Sequence, residues 1–216
     1  HGVLVGDFVY SKAFQLMAGL KDSQIIKILA DSTNIISEGE VLQLSLKSKE
    51  LISEDDYFEI IGRKTAELFK ASSRSAAVLS EASHEEVESA GDFAYSLGIA
   101  FQIQDDLLDY FGNEKVTGKK IGKDFLEGKI TLPLLRAIKL ASEENKKTIF
   151  KLMEKKSSSD LLQIIEIIKS SGALEGVQKT CDSYIDNCFT KLNFFPDSIY
   201  KTQLLNIVRD IKVRDA

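Results

Sequence analysis

The chain has 216 residues, a formal net charge of −5, 44% apolar residues and 28% charged residues. This composition permits one sizeable hydrophobic core and excludes a disordered chain, and its acidic balance gives no indication of nucleic-acid binding. No apolar run reaches the roughly 18 residues that a membrane span needs, and we see no signal peptide. Cys181 and Cys188 are spaced too widely for a usual zinc pair, and one helix cannot join them as a disulfide, so we expect free thiols in a reducing, cytoplasmic compartment.

Two long helices are predicted at the start of the chain, and a total of only two prolines favours an all-helical protein. Apolar residues occur on nearly every side of the first helix, over residues 3–19, and this pattern predicts a buried helix. The second helix is predicted over residues 22–47. Its Glu40 and Gln43 point either into a cavity or to solvent, and the sequence favours neither. The expected buried positions of the second helix are Ile25, Ile28, Leu29, Ile35, Ile36, Val41, Leu42 and Leu44.

The next two helices begin at recognisable N-terminal caps. Ser53 precedes three acidic residues, which predicts a helix start, and the helical pattern continues to about Leu79. Lys64 lies in an apolar part of this helix, and a lysine there more often extends to solvent than holds an anion. Ser83 and Glu86 form a capping box that begins the following helix.

Three carboxylates, those of Asp105, Asp106 and Asp109, close that helix. On a helix Asp105 and Asp109 project from the same side, with Cβ atoms about 6 Å apart, and Gln102 lies one turn earlier. Such a row can hold Mg²⁺, which takes one or two carboxylates and completes its shell with water and substrate phosphates. The alternative is a solvated or ion-paired face. Apolar neighbours place the acids at the edge of a core, however, where like charges repel unless something neutralises them.

Two glycines lie on the same stripe of this helix as the acids. Gly91 and Gly98 each cost about 1 kcal/mol of helix propensity. We therefore expect something to need room beside them.

Residues 112–131 follow the acids and are rich in glycine and lysine. Glycine allows close backbone approach and lysine supplies point charges, so this segment can bind phosphate. Alone this is weak evidence, but directly after an acidic triplet it is much stronger. We see no boundary of a second domain and expect a single all-α domain over residues 1–216. Further helices are predicted near 133–143, 145–155, 159–171, 173–193 and 197–213, and none of them carries recognisable chemistry.

Together these residues resemble the trans-isoprenyl diphosphate synthases, particularly the medium- to long-chain polyprenyl branch. The resemblance spans nearly the whole chain, and several ordered motifs make it specific. Phe101-Gln102 with Asp105-Asp106-x-x-Asp109 matches the second aspartate-rich motif of the family, and Lys64-Thr65 matches its Lys-Thr pair. The other matching segments are Gly6–Phe8, Glu38–Leu44, Gly118-Lys119-x-x-Gly122-x-Asp124 and Glu127-Gly128-Lys129-x-Thr131-Leu132-Pro133.

The resemblance implies an isoprenoid-synthase-type fold, an antiparallel helical bundle around a central cavity, and a homodimer formed through the first two helices. The implied activity is that of a prenyltransferase, which condenses isopentenyl diphosphate with an allylic diphosphate to make a polyprenyl diphosphate for a quinone side chain. The implied ligands of the Mg²⁺ cofactor are Asp105, Asp109 and, directly or through water, Asp106. The implied diphosphate-binding residues are Lys64, Lys119 and Lys129, and the residues that face the allylic cation are Thr65 and Gln102.

One part of the family pattern has no match. The first aspartate-rich motif and the N-terminal Lys and Arg residues that bind isopentenyl diphosphate are missing, which is roughly the first third of the pattern. We therefore expect an N-terminally incomplete chain that is inactive alone. Two other hypotheses remain: a non-catalytic subunit of a heteromeric synthase, which need not keep the acids and lysines, and a class I terpene cyclase, against which the Gly-Lys segment and the Lys-Thr pair argue.

Overall fold

The computed structural model describes residues 1–216 except 21, 47, 48, 50, 114–117, 119 and 213–216. Every regular element among the described residues is helical, so the predicted all-α fold class is confirmed. No helix in this part of the chain combines the length and apolar character needed to cross a membrane. The helices are α1 (Gly2–Gly19), α2 (Ser23–Leu46), α3 (Glu54–Ile61), α4 (Glu67–Leu79), α5 (His84–Phe111), α6 (Lys123–Glu127), α7 (Leu132–Leu140), α8 (Glu143–Lys155), α9 (Leu161–Ser170), α10 (Ala173–Leu192) and α11 (Ile199–Lys212).

Helix α5 is the central element, and it packs against α4 and α10. It begins at the predicted capping box, in which Ser83 Oγ accepts from Glu86 N–H and Glu86 accepts from Ser83 N–H. Its 28 residues correspond to about 42 Å of helix. The apolar residues of α5 form the largest core cluster together with α10, and both cysteines lie in this cluster as free, buried thiols. The acids at the end of α5 therefore sit on a rigid, well-packed support.

The two glycines of α5 provide room for the neighbouring helical segment. A Cβ atom on Gly98 would lie 2.6 Å from the Cα atom of Ala66, and one on Gly91 would lie 2.8 Å from Cγ of Arg74. The lower helix propensity of glycine thus permits close approach of two backbones at Gly98 and leaves room for the Arg74 side chain at Gly91. The space that the sequence analysis expected beside the glycines is thus filled by another part of the protein.

A single π-helical turn, Gly62–Ala66, lies between α3 and α4, where one continuous helix was predicted. The turn packs against α2 and α5 and contains both Lys64 and Thr65. One extra residue in a helical turn rotates the side chains that follow it, and such turns occur often at functional sites. The π-turn therefore sets the directions in which the Lys-Thr pair projects.

A second core cluster forms around α7, α8 and α9 and reaches α5 through Tyr110. The one-turn helix α6, which the sequence analysis treated as loop, is anchored in this cluster by Phe125, a residue that is 1% exposed. Gly122 and Gly128 flank α6 with φ values of 76° and 73°, in the left-handed region that favours glycine. Residues 122–124, at the start of α6, contact Asp109 near the acidic end of α5.

The prediction that α1 is buried is wrong. Met17 is its single buried residue, and the contacts of α1 within the chain are chiefly with α2. An all-round apolar pattern indicates a surface that needs covering but does not show that the same chain covers it. The apolar residues of α1 that are more than half exposed are Val3, Leu4, Val5, Phe8, Val9, Tyr10 and Leu16.

The predicted buried face of α2 is confirmed at Ile25, which is 1% exposed, but it is wrong at two other positions. Val41 and Leu44 are 66% and 67% exposed, whereas Ser32 and Gly39 are buried. A Cβ atom on Gly39 would lie 2.8 Å from that of Arg63, so a small residue is needed where α2 meets the π-turn. Close backbone approach at Gly39 therefore contributes to this face together with the buried apolar side chains of Ile25 and Leu46.

Candidate active site

Asp106 is the most enclosed of the three acids, with 2% of its surface exposed. Both of its carboxylate oxygens accept hydrogen bonds: Tyr57 Oη donates to Oδ2 at 2.6 Å, and Gln102 Nε2 donates to Oδ1 at 2.8 Å. Burial raises the pKa of Asp106 to about 7, although these two hydrogen bonds act in the opposite direction. Asp106 therefore faces other protein groups with both oxygens.

Gln102 continues this network toward the π-turn. Its Oε1 atom accepts a hydrogen bond of 2.9 Å from the hydroxyl of Thr65. Four side chains from α3, the π-turn and α5 are thus joined in one hydrogen-bonded chain: Tyr57, Asp106, Gln102 and Thr65. The structure brings Thr65 and Gln102 together, as their implied common role requires.

Asp109 holds the Gly/Lys-rich segment against α5. Its Oδ1 and Oδ2 atoms accept from the backbone N–H groups of Lys123 and Asp124 at 3.1 and 3.0 Å, and its carbonyl oxygen accepts from Gly122 N–H at 2.5 Å. Because glycine has no side chain to cap a helix, Asp109 supplies the acceptor that the first amides of α6 need.

Half-burial raises the pKa of Asp109 to about 6, and the charges of Asp124 and Asp105 act in the same direction. Asp105 itself is half-buried on the same stretch of α5. Acids this close together favour the binding of a cation, because a cation would relieve their mutual repulsion.

Lys64 projects from the π-turn toward α2. Its Nζ atom donates to Gln43 Oε1 at 2.9 Å and lies 2.8 Å from Glu40 Oε1. The two residues differ in their surroundings: Gln43 is half-buried, whereas the Glu40 side chain is 48% exposed, so Glu40 contacts this ammonium group from the solvent side. Lys64 keeps 36% of its side chain exposed, so an anion can still approach it.

Lys129 follows α6 and contacts two acidic residues of that helix. Its Nζ atom is 2.6 Å from Glu127 Oε2 and 3.3 Å from Asp124 Oδ1. Asp124 therefore links Lys129 to Asp109, since its backbone N–H bonds Asp109 and its carboxylate bonds Lys129. Lys119, the third predicted diphosphate-binding residue, lies outside the described residues.

The donor set suits a shared Mg²⁺ site better than a closed metal centre. Within the described ranges, no three His, Cys, Asp or Glu side chains group so that they could hold a metal ion by themselves. Mg²⁺ does not require such a group, since one or two carboxylates with water and substrate phosphates suffice. Asp105 and Asp109 fit this requirement because both are only half-buried, so a cation and water can still approach them, whereas Asp106 is 2% exposed.

Two residues at this site were not singled out as site residues from the sequence. Asp124 appeared only as part of a motif, and Tyr57 appeared only within a predicted helix. Nothing local predicts that the Tyr57 hydroxyl reaches Asp106, because that contact spans 49 residues.

Comparison with known proteins identifies the relatives of this chain. Residues 1–168 match the family model described as polyprenyl synthetase. The octaprenyl diphosphate synthase of Escherichia coli is 35% identical over 214 residues, covering 99% of this chain and 66% of the relative. The all-trans-nonaprenyl-diphosphate synthase (geranyl-diphosphate specific) of Rhodobacter capsulatus is 38% identical over 207 residues, covering 96% of this chain and 63% of the relative.

The fold matches solved structures equally well. A polyprenyl synthase from Caulobacter crescentus CB15, complexed with calcium and isoprenyl diphosphate, superposes with a TM-score of 0.93 and 36% identity. The match covers 99% of this chain and 66% of that one, so the chain spans about two thirds of the length of these relatives. The isoprenoid-synthase-type fold expected from the motifs is therefore confirmed, and the chain belongs to the polyprenyl synthetase family.

Proposed function

We propose that this chain carries half of the active site of a Mg²⁺-dependent trans-polyprenyl diphosphate synthase. The enzyme would be a prenyltransferase that joins isopentenyl diphosphate to an allylic diphosphate. The observation that supports this most strongly is the grouping at the end of α5, where Gln102 joins Asp106 to Thr65 of the Lys-Thr pair and Asp109 binds the first amides of α6. On this proposal the whole of residues 1–216 acts as one helical domain.

The proposed binding roles follow from charge and exposure. Asp105 and Asp109 would hold Mg²⁺, with Asp106 in indirect support. When bound, the metal neutralises negative charge that develops on the leaving diphosphate. The Caulobacter relative is complexed with calcium and isoprenyl diphosphate, which supports a divalent cation and a diphosphate as ligands of this fold. The ammonium groups proposed to hold the same diphosphate are those of Lys64, Lys119 and Lys129.

The cationic end of the substrate needs different surroundings. Thr65 and Gln102 present oxygen atoms whose partial negative charge would stabilise an allylic cation. Phe101 precedes Gln102 and Phe69 lies one helical turn after Thr65; their ring centroids lie 5.7 Å apart, and the rings would help to keep water from the cation. This division leaves diphosphate at the charged end of the site and hydrocarbon at the apolar end.

The chain spans 66% of the length of its E. coli relative, and the proposed activity is that of a protein of the relative's length. We expect the 216-residue chain to be inactive alone. A homodimer through α1 and α2 is proposed because α1 exposes an apolar surface. A cytoplasmic localisation is proposed because both cysteines are free thiols. The use of the product for a quinone side chain stays a prediction.

The test is a product assay. The full product of the gene that encodes this sequence, and the 216-residue chain itself, are incubated with farnesyl diphosphate, isopentenyl diphosphate and Mg²⁺. We expect longer prenyl diphosphates from the first sample, and a loss of at least about 100-fold in Asp105→Asn and Asp109→Asn. Asp186→Asn, on the exposed side of α10, is the matched control and should retain full activity.

The alternatives predict different products. A terpene cyclase would release a hydrocarbon from the allylic diphosphate without consuming isopentenyl diphosphate. A non-catalytic subunit would give no product until a second synthase chain is added. Either result would refute the proposed function.

A further inference from the structure

Tyr57 is a buried tyrosine whose hydroxyl is committed to one acceptor. The residue is 3% exposed, and its Oη atom donates to Asp106 Oδ2 at 2.6 Å. Its ring contacts that of Phe58 edge-on, with centroids 5.2 Å apart. Packing thus fixes the ring, and the hydroxyl lies at the start of the hydrogen-bonded chain that ends at Thr65.

The direction of every hydrogen bond in this chain follows from the chemistry of its members. Tyr57 and the amide nitrogen of Gln102 both donate to Asp106. Because the amide nitrogen of Gln102 is directed at Asp106, its Oε1 atom faces Thr65, and this oxygen can only accept. The hydroxyl of Thr65 therefore donates its single proton to Gln102 Oε1, and the lone pairs of its oxygen stay available to stabilise a cation.

We propose that Tyr57 is a positioning residue for prenyl transfer: by anchoring Asp106 it orients the Gln102 amide and thereby turns the lone pairs of Thr65 toward the allylic cation. This inference rests on the proposed function for the identity of the cation. It also assigns Asp106 the task of orienting Gln102 rather than of binding the metal directly. Tyr57 lies in α3 and Thr65 in the π-turn, so the network clamps both ends of that stretch to α5.

The kinetic consequence is specific. The oriented oxygen of Thr65 would stabilise positive charge on the allylic group, and this charge develops in the transition state but is absent from the bound substrate. Loss of this orientation therefore lowers kcat more than it raises KM. Tyr57→Phe removes one hydroxyl and keeps the ring. We expect kcat to fall about tenfold, which is about 1.4 kcal/mol, while KM for the allylic diphosphate changes by less than about twofold.

The experiment is a double-mutant cycle in the full gene product. Tyr57→Phe, Gln102→Ala and the double variant are compared with wild type, and Tyr184→Phe is the matched control. Tyr184 lies against Phe58 from α10, with centroids 6.2 Å apart, and should behave as wild type. If Tyr57 acts through Gln102, the double variant is no slower than Gln102→Ala alone. Losses that multiply, or an unchanged kcat in Tyr57→Phe, would overturn the inference.

A second measurement does not depend on activity. The thermal midpoints of Tyr57→Phe, Thr65→Val and their double variant are compared by calorimetry. Tyr57 and Thr65 are joined through Asp106 and Gln102, so we expect the two losses in Tm to be less than additive in the double variant. Additive losses would show that the network does not couple the two residues. If the wild type makes no product, the proposed function fails, and this cycle still decides whether the network exists.

Discussion

Replacing Gly98 with alanine tests whether the close approach of the π-turn to α5 depends on the missing side chain. The new Cβ atom would lie 2.6 Å from Cα of Ala66 and 3.1 Å from its Cβ. Ordinary carbon–carbon contacts are about 3.5–4.0 Å, so the backbone at Ala66 must move by about 1 Å. Neither of these atoms belongs to a flexible side chain that could rotate away.

Two opposing effects set the expected magnitude. Overpacking costs about 1–3 kcal/mol, and a backbone clash belongs at the upper end of that range. The gain in helix propensity from Gly to Ala returns about 1 kcal/mol. We therefore expect Gly98→Ala to be destabilised by about 1–2 kcal/mol, which lowers Tm by roughly 2–8 °C for a chain of this size.

Gly176→Ala is the matched control because the same substitution there meets no obstacle. Gly176 lies in α10, and its new Cβ atom would be 3.6 Å from Nη1 of Arg136, an ordinary contact. This variant should gain about 0.5–1 kcal/mol from helix propensity alone. Urea unfolding followed by circular dichroism measures both variants.

The refuting result is a gain in stability for Gly98→Ala equal to that of Gly176→Ala. It would show that the π-turn and α5 are farther apart in solution than in the structure. Because Thr65 precedes Ala66, we also expect Gly98→Ala to lower the activity of the full gene product. Retained activity in a destabilised variant would show that the π-turn tolerates the displacement.

Three further predictions follow from burial and capping. Phe125→Ala should lower the free energy of unfolding in urea by about 3–5 kcal/mol, because the ring anchors α6 in the core. The same change at Phe194, which is 51% exposed, should lower it by less than about 1 kcal/mol. Equal losses would refute the anchoring role. Burial raises the pKa of Cys181 to about 11 and that of Cys188 to about 12, so both thiols should resist a disulfide reagent near pH 8 until urea is added, and rapid native labelling would contradict this burial. The capping hydrogen bonds of Glu86 hold its pKa below the ordinary value of 4.5. Its stabilising effect is therefore present above pH 4.5 and is lost as the pH falls through the lowered pKa. The difference in unfolding free energy between wild type and Glu86→Gln should shrink on acidification, and a constant difference would refute this linkage.

The helices and their starting points could be predicted from sequence because the signals are local. Ser53 and Ser83 cap α3 and α5 with nearby acids, and both capping boxes are present in the structure. The acidic row at the end of α5 was visible for the same reason, since i and i+4 positions share one side of any helix. The family resemblance also followed from short, ordered motifs.

Other features could not be predicted, because each depends on contacts between distant parts of the chain. The π-turn lies where one helix packs against both α2 and α5, and its residues carry no signal that separates it from continuous helix. The short helix α6 depends on Phe125 reaching the core and on Asp109 capping its amides. The metal-binding and diphosphate-binding roles of the acids and lysines stay predictions.

The sequence by itself determined that helices form, where they begin, and that three carboxylates close the longest one, because these are properties of neighbouring residues. Only the tertiary structure decided which acid is enclosed. Asp106 is buried because Tyr57, 49 residues away, places its hydroxyl against it, while Asp109 is turned toward the amides of α6. The three acids therefore differ in their surroundings, and that difference comes from packing between helices rather than from their spacing along one.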